Sequence, residues 1–332
     1  MSAHQMESML EYFPTNEERR NLKAYLRNGK ESDLCECEKF MVSMLRLPNP
    51  EPMTTSLIFK ATFDSVSKAV ENDALLVEAA CEELLASIRL RKLLGIVLNI
   101  GNRLNTAGSS SSTSRVGAFS LDSLLKLNHA KAVGDTTKKM TFLHYVVMVV
   151  RRNNHSLLSF YEDLPSISKA QKINLDLATL ELEKLGKNLD QAKTLALQVI
   201  PGKWNLKNNN YLSEEETDNV LGNTGIGRFV LEASSQIQSI TDLYERTSEV
   251  YAKLLDYFGE SKKMTKPHEL FAIFVSFCNT FKSVVEEVDR VERAKVCILF
   301  LLCFAILKDE CLHYNLRHVR KRNVNKRKIL QN

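Results

Sequence analysis

Helix-breaking residues are scarce in this chain, with 12 glycines and 7 prolines among 332 residues. A sandwich or barrel must turn every few residues, so this scarcity favours long helices. The longest periodic run points the same way. No proline falls between Ser166 and Val199, where Ile173, Leu175, Leu177, Leu180, Leu182, Leu185, Leu189, Ala192, Leu195 and Leu197 recur in a heptad-like pattern. That pattern predicts one helix of about thirty residues, about 45 Å long at the helical rise, stopped by Pro201-Gly202. A second long helix is predicted over Gly227–Phe258, with Gly259 placed to end it. Helices longer than an ordinary domain is wide imply an all-α, elongated helical bundle.

The remaining segments read as shorter helices. Met6–Phe13 is the first. Pro14-Thr15 then restarts the chain, and Thr15 with Glu18 has capping-box spacing, in which hydroxyl and carboxylate each satisfy a free backbone amide. Gly29-Lys30 ends that helix, Asp33–Leu45 forms the next, and Pro48, Pro50 and Pro52 make a stiff connection. Helices are predicted over Met53–Val70, Asp73–Ser87 and Arg89–Leu104, the second capped by Asn72-Asp73 and carrying Leu75, Leu76, Ala79, Ala80, Leu84 and Leu85 on a wide apolar face. Pro267 opens a helix over Glu269–Val291 with Phe271, Phe274, Cys278 and Phe281 on one face.

Charge and motif content exclude several functions. The net charge is +5, and Arg317, Arg320, Lys321, Arg322, Lys326, Arg327 and Lys328 lie within one acid-free stretch near the end. The rest is close to neutral, so nucleic-acid binding by the main body is not implied. The apolar run CILFLLCFAIL at 297–307 is shorter than the ~20 residues that span a bilayer, so no transmembrane segment is predicted. Residues 293–332 are assigned outside the helical domain, which takes 1–292. The seven cysteines are scattered and the first twenty residues carry no signal peptide, which points to a reducing, cytoplasmic setting. There is no phosphate-binding glycine loop, dinucleotide fingerprint or nucleophile elbow. His129 and His144 lack partners at metal spacing, and Cys35-x-Cys37 has the wrong spacing for zinc or redox work. The reading is a non-enzyme with no catalytic residue, no metal and no cofactor.

Most of the polar loop sequence that flanks buried helices is concentrated in residues 97–150, and loops set on a rigid scaffold are where function usually sits. In order, this stretch holds Gly101-Asn102-x-x-Asn105, Phe119-x-Leu121-x-x-Leu124-x-Lys126-Leu127, Lys131, and Thr141-Phe142-Leu143-His144-Tyr145. No single piece is specific. As an ordered series they resemble the formin homology two domain, which assembles actin filaments. The similarity extends from about Met6 to about Val291, including Pro14-Thr15-x-x-Glu18 and Tyr257-Phe258-Gly259-Glu260.

The resemblance implies a non-catalytic mechanism. Two subunits joined head to tail hold actin monomers in filament-like register, promoting nucleation, and then stay at the fast-growing end during elongation or capping. By the same resemblance Lys131, with Lys126, contacts actin, and Gly101, Asn102 and Asn105 receive the N-terminal arm of a partner subunit. The family domain begins with a tryptophan-bearing lasso, a linker and a first actin-contact helix. Met1 falls just before the Pro14-Thr15 helix, so the expectation is a chain lacking all three, hence a monomer or weak associate in place of the family's homodimer. Profilin-actin would be engaged only by segments outside this chain, and the setting implied is the cytoplasmic cytoskeleton. The family's Arg-Gly pair ahead of the position of Phe119 is replaced by Thr113-Ser114, so Arg115 receives no role. Phe119, Leu121, Leu124 and Leu127 read as core, and Arg151 and Arg152 as a charged helix end suited to the local dipole. The rival reading is a helical scaffold without actin activity, organised by the two long helices.

Overall fold

The computed structural model describes residues 2–106, 116–131, 140–198, 221–222, 224–260 and 266–297. Trp204, the serine run at 109–112, Arg115, the apolar run and the basic tail lie outside the described residues. The fold is all-α: no strand occurs among the described residues, and the one isolated bridge joins Lys131 to Thr141. The chain divides into two compact units, one formed by 1–86 with 165–272, the other by 87–164 with the chain from 273 on.

The first unit is built on α4 (Pro50–Ala86), 37 residues long. Before it come α1 (Ala3–Glu11), α2 (Asn16–Tyr25) and α3 (Glu36–Arg46). The Thr15–Glu18 capping box forms as predicted, with Thr15 N donating to the Glu18 carboxylate at 2.8 Å. Pro50 and Pro52 sit in the first turn of α4, where a missing N–H costs nothing. The predicted break at Asn72-Asp73 does not occur. Val70, Ala74, Val77, Ala80, Cys81 and Leu84 are all buried, and their three- and four-residue steps carry one apolar stripe straight through that pair. Burial, with Glu181 nearby, pushes the Asp73 carboxyl above its ordinary value, as suits a residue inside a helix and not at a solvated cap.

Two helices pack along α4. The predicted 166–199 helix is split into α8 (Ile167–Ala170) and α9 (Leu175–Gln198), separated where the Asn174 side chain accepts from Asp176 N. Its buried positions are Ala178, Leu185, Leu189, Ala192, Leu195 and Ala196. Leu177 and Leu180 are 59% exposed, so the heptad reading placed them on the wrong side. The second helix, α10 (Gly225–Phe258), is capped by Thr224, which accepts from Gly227 N at 3.0 Å. A side chain at Gly227 would lie 2.1 Å from the Leu221 carbonyl oxygen, so only glycine fits. Gly259 ends α10 at φ 70, the left-handed cap predicted for it. Phe59, Phe63 and Phe229 meet edge to face at 5.4–5.5 Å in one core cluster. Val70, Ala74, Ile240, Leu243 and Tyr244 form another.

The second unit holds α5 (Ile88–Thr106), α6 (Asp122–Lys126), α7 (Phe142–Asn153), a 3-10 segment (His155–Asp163) and the 273–297 part of α11 (267–297). Leu90, Leu93, Val97, Leu143, Val146, Val147 and Val150 are buried, and Phe160 lies edge to face with Phe281 at 5.1 Å. At the start of α5, Arg89 binds Asp163 while Ser87 Oγ donates to the same carboxylate at 2.8 Å. The guanidinium holds Asp163 below the ordinary carboxylate range. Phe271, Phe274 and Phe281 are fully buried on α11 and Cys278 nearly so, as the sequence pattern required. Burial pushes the thiols of Cys81 and Cys278 up to about 12, so both act as small apolar groups.

Candidate interaction site

The lysines picked out by the sequence lie on either side of one turn in the second unit. Lys126 is the last residue of α6, and its carbonyl accepts from His129 N at 2.9 Å and Ala130 N at 3.3 Å. The chain then reaches Lys131, which bridges antiparallel to Thr141. Phe142 N donates to Ala130 O at 2.7 Å, and Leu143 N to Leu127 O at 3.2 Å. A short paired stem is the result: 127–131 on one side, 141–143 on the other. Leu121 and Leu124 are buried beneath it; Phe119 and Leu127 are half-buried. Both lysines are exposed, and neither pairs with a carboxylate among the described residues. A cation without an internal partner keeps its full charge for an external one. Tyr145, Met140 and Leu125 are also exposed in this part of the chain.

Three polar side chains hold the stem. Thr141 N-caps α7 in a capping box with His144. Thr141 Oγ1 donates to Asn128 Oδ1 at 3.0 Å and lies 2.7 Å from His144 Nδ1. The sequence places His144 in the ordered motif series and finds no metal partners at suitable spacing; its place in the structure is the cap of α7. Among the described residues no group of His, Cys, Asp and Glu is arranged to hold a metal. The signal that could have identified its role is its place three residues after a threonine at the start of an apolar helix.

Gly101, Asn102 and Asn105 lie in the last two turns of α5. Gly101 does not have positive φ, so its backbone conformation does not require glycine. Nothing lies within 4 Å of where its side chain would project, so the helix backbone is open to approach there. Asn102 has a role within the chain: its side chain accepts from Val116 N at 3.0 Å and donates to Val116 O at 2.9 Å, tying α5 to the chain beyond residues 107–115. Asn105 is exposed. Arg151 pairs with Asp289, giving it a structural partner in addition to the helix end. No helix among the described residues is long and apolar enough to cross a membrane.

The described residues thus form an all-α fold with two exposed lysines on a helix-linking stem. The Formin Homology 2 Domain profile matches residues 1–282. The chain is 27% identical over 287 residues to Formin-like protein 5 of Oryza sativa subsp. japonica, covering 86% of this chain and 16% of that protein. It is 26% identical over 282 residues to Protein diaphanous homolog 3 of Homo sapiens, covering 85% of this chain and 22% of that one. Formin-like protein 21b of Arabidopsis thaliana is 27% identical over 299 residues, covering 89% and 68%. The chain belongs to the formin homology two domain family. It spans about a fifth of the length of the first two of these relatives and two thirds of the third.

Proposed function

We propose that this chain binds actin and promotes filament assembly, nucleating filaments and following or capping their fast-growing ends without making or breaking a covalent bond. One observation carries the reading. In a member of this family, Lys131 and Lys126 stand exposed, with no carboxylate partner among the described residues, at the stem of one short segment. Actin's surface is acidic, so lysines there contribute attraction that salt screens. The working unit is residues 1–292, which the family match over 1–282 supports, and its setting is the cytoplasmic cytoskeleton. Gly101, Asn102 and Asn105 form the receiving surface for a second subunit's arm, a role that the open space over Gly101 supports. Profilin-bound actin is delivered by segments outside this chain.

Pyrene-actin assembly tests the reading. Lys131→Ala should slow assembly by about threefold to tenfold at low salt, with a smaller loss for Lys126→Ala and a narrowing difference as salt is raised. An unchanged rate for Lys131→Ala would reject the site. Absence of co-sedimentation of the unmodified chain with filaments at low salt would favour the scaffold reading.

A further inference from the structure

Position 144 is the third residue of a capping box, where glutamate or glutamine is usual. A glutamate there could satisfy the cap but would repel Glu287. The imidazole caps with Nδ1 and has a second nitrogen left to use. His144 Nε2 lies 3.1 Å from Glu287 Oε2, on the 273–297 part of α11. A carboxylate only accepts, so Nε2 carries the hydrogen and donates it. The His144 side chain is 17% exposed and that of Glu287 48%, so the imidazole is held by its surroundings while water reaches the contact from the carboxylate side. One chain of contacts therefore links Asn128, Thr141, His144 and Glu287: the Thr141 hydroxyl donates to Asn128 Oδ1, Thr141 N donates to His144 Nδ1 at 3.4 Å, and His144 Nε2 donates to Glu287. Its first two members lie on opposite sides of the stem that ends in Lys131, and its last is 143 residues further along the chain.

We propose that His144 and Glu287 are positioning residues for Lys131: they brace the stem against α11 and fix the direction in which the lysine is presented. The consequence for actin rests on the reading given above, whereas the brace does not.

Glu287→Ala removes the acceptor, and Glu287→Gln retains one through its amide oxygen. Hydrogen exchange at Phe142 and Leu143, the amides that donate across the stem, should speed up about tenfold in Glu287→Ala and stay near wild type in Glu287→Gln. Exchange at Val150, deep in α7, should not change. Unchanged exchange at Phe142 and Leu143 overturns the brace, as does an equal acceleration at Val150, which would make Glu287 a general support of the helix. In filament co-sedimentation, Glu287→Ala should weaken binding by about threefold, Glu287→Gln should restore it, and Lys131→Ala with Glu287→Ala should be no weaker than Lys131→Ala alone. Multiplying losses, or none from Glu287→Ala, overturn positioning through the lysine. A wild-type chain that ignores filaments overturns the actin reading and the affinity half of this proposal, and the exchange rates then decide the brace by themselves.

Discussion

The α4–α9–α10 packing of the first unit and the lysine-bearing stem of the second are held by different physics. The former rests on apolar burial, with Phe59, Phe63 and Phe229 interlocked and small residues such as Ala192, Ala196 and Ala233 allowing close helix approach. Burial of this kind is non-directional and roughly proportional to area. It fixes where helices lie and tolerates exposed leucines at 177 and 180. The stem has fewer residues and depends on directional contacts: two backbone hydrogen bonds across it and the Asn128–Thr141–His144 linkage. A helix pair can lose a methyl group and keep its arrangement. A stem of this kind has few contacts to share the loss of a single acceptor, which is the expectation tested by Glu287→Ala. A binding residue is therefore better placed on the second kind of structure only where polar cross-links stiffen it.

The contrast can be broken hardest at the aromatic cluster. Phe63→Ala should cost about 3–5 kcal/mol in urea unfolding while leaving exchange at Phe142 and Leu143 unchanged in the folded protein. An effect under about 1 kcal/mol would mean that the cluster is not what secures the helices. Next is Asp163→Asn, which leaves Arg89 only the longer Glu162 contact at 3.4 Å and the Ser159 hydroxyl. The Arg89 and Asp163 side chains keep over a quarter of their exposure, 29% and 28%, so the expected loss is about 1–2 kcal/mol, below that of a buried pair. Its pH dependence has a defined sign. The native carboxyl is held below its ordinary value of 3.8, so its contribution is complete above that pH and is lost as pH falls through the depressed native value. Wild type and Asp163→Asn should therefore converge in acid; a gap that widens there would contradict the assignment.

How far the sequence could be read follows the same division. Local signals read correctly: Thr15 with Glu18, Gly259 at the end of α10, and the phenylalanine face of α11 each involve residues within a few positions of one another. Errors arose where two local signals competed. Asn72-Asp73 has the chemistry of a cap, but the apolar stripe from Val70 to Leu84 continues through it and wins because burial is worth more than one cap. Leu177 and Leu180 fit the heptad but lie away from the face of α9 that carries Ala178, which is buried with Val70 and Ala74 of α4. Lys126 and Lys131 were legible as parts of an ordered series. The long-range contacts of the same region were not: Val116 is 14 residues from Asn102, and Glu287 is 143 residues from His144, and neither separation leaves a periodic trace.

Smaller effects sharpen the comparison. Asn102→Ala removes two hydrogen bonds to Val116 at an exposed site, so the global cost should be about 0.5–1 kcal/mol, with exchange at the Val116 amide rising well beyond that at Val97 in the buried part of α5. Equal acceleration at both would show the asparagine supporting the helix and not the chain beyond 107–115. The smallest effect is expected from Leu177→Gln with Leu180→Gln. Both side chains are mostly in water, so replacing them removes little buried area and stability should change by no more than about 0.5 kcal/mol. A loss of 2 kcal/mol would mean that these leucines are covered in solution by something other than their own unit, and a concentration dependence of that loss would identify a second copy of the chain. If stability is unchanged, the packing of α9 rests on its buried positions, Ala178, Leu185, Leu189, Ala192, Leu195 and Ala196, and apolar burial in the first unit depends on which face a residue occupies, not on how apolar it is.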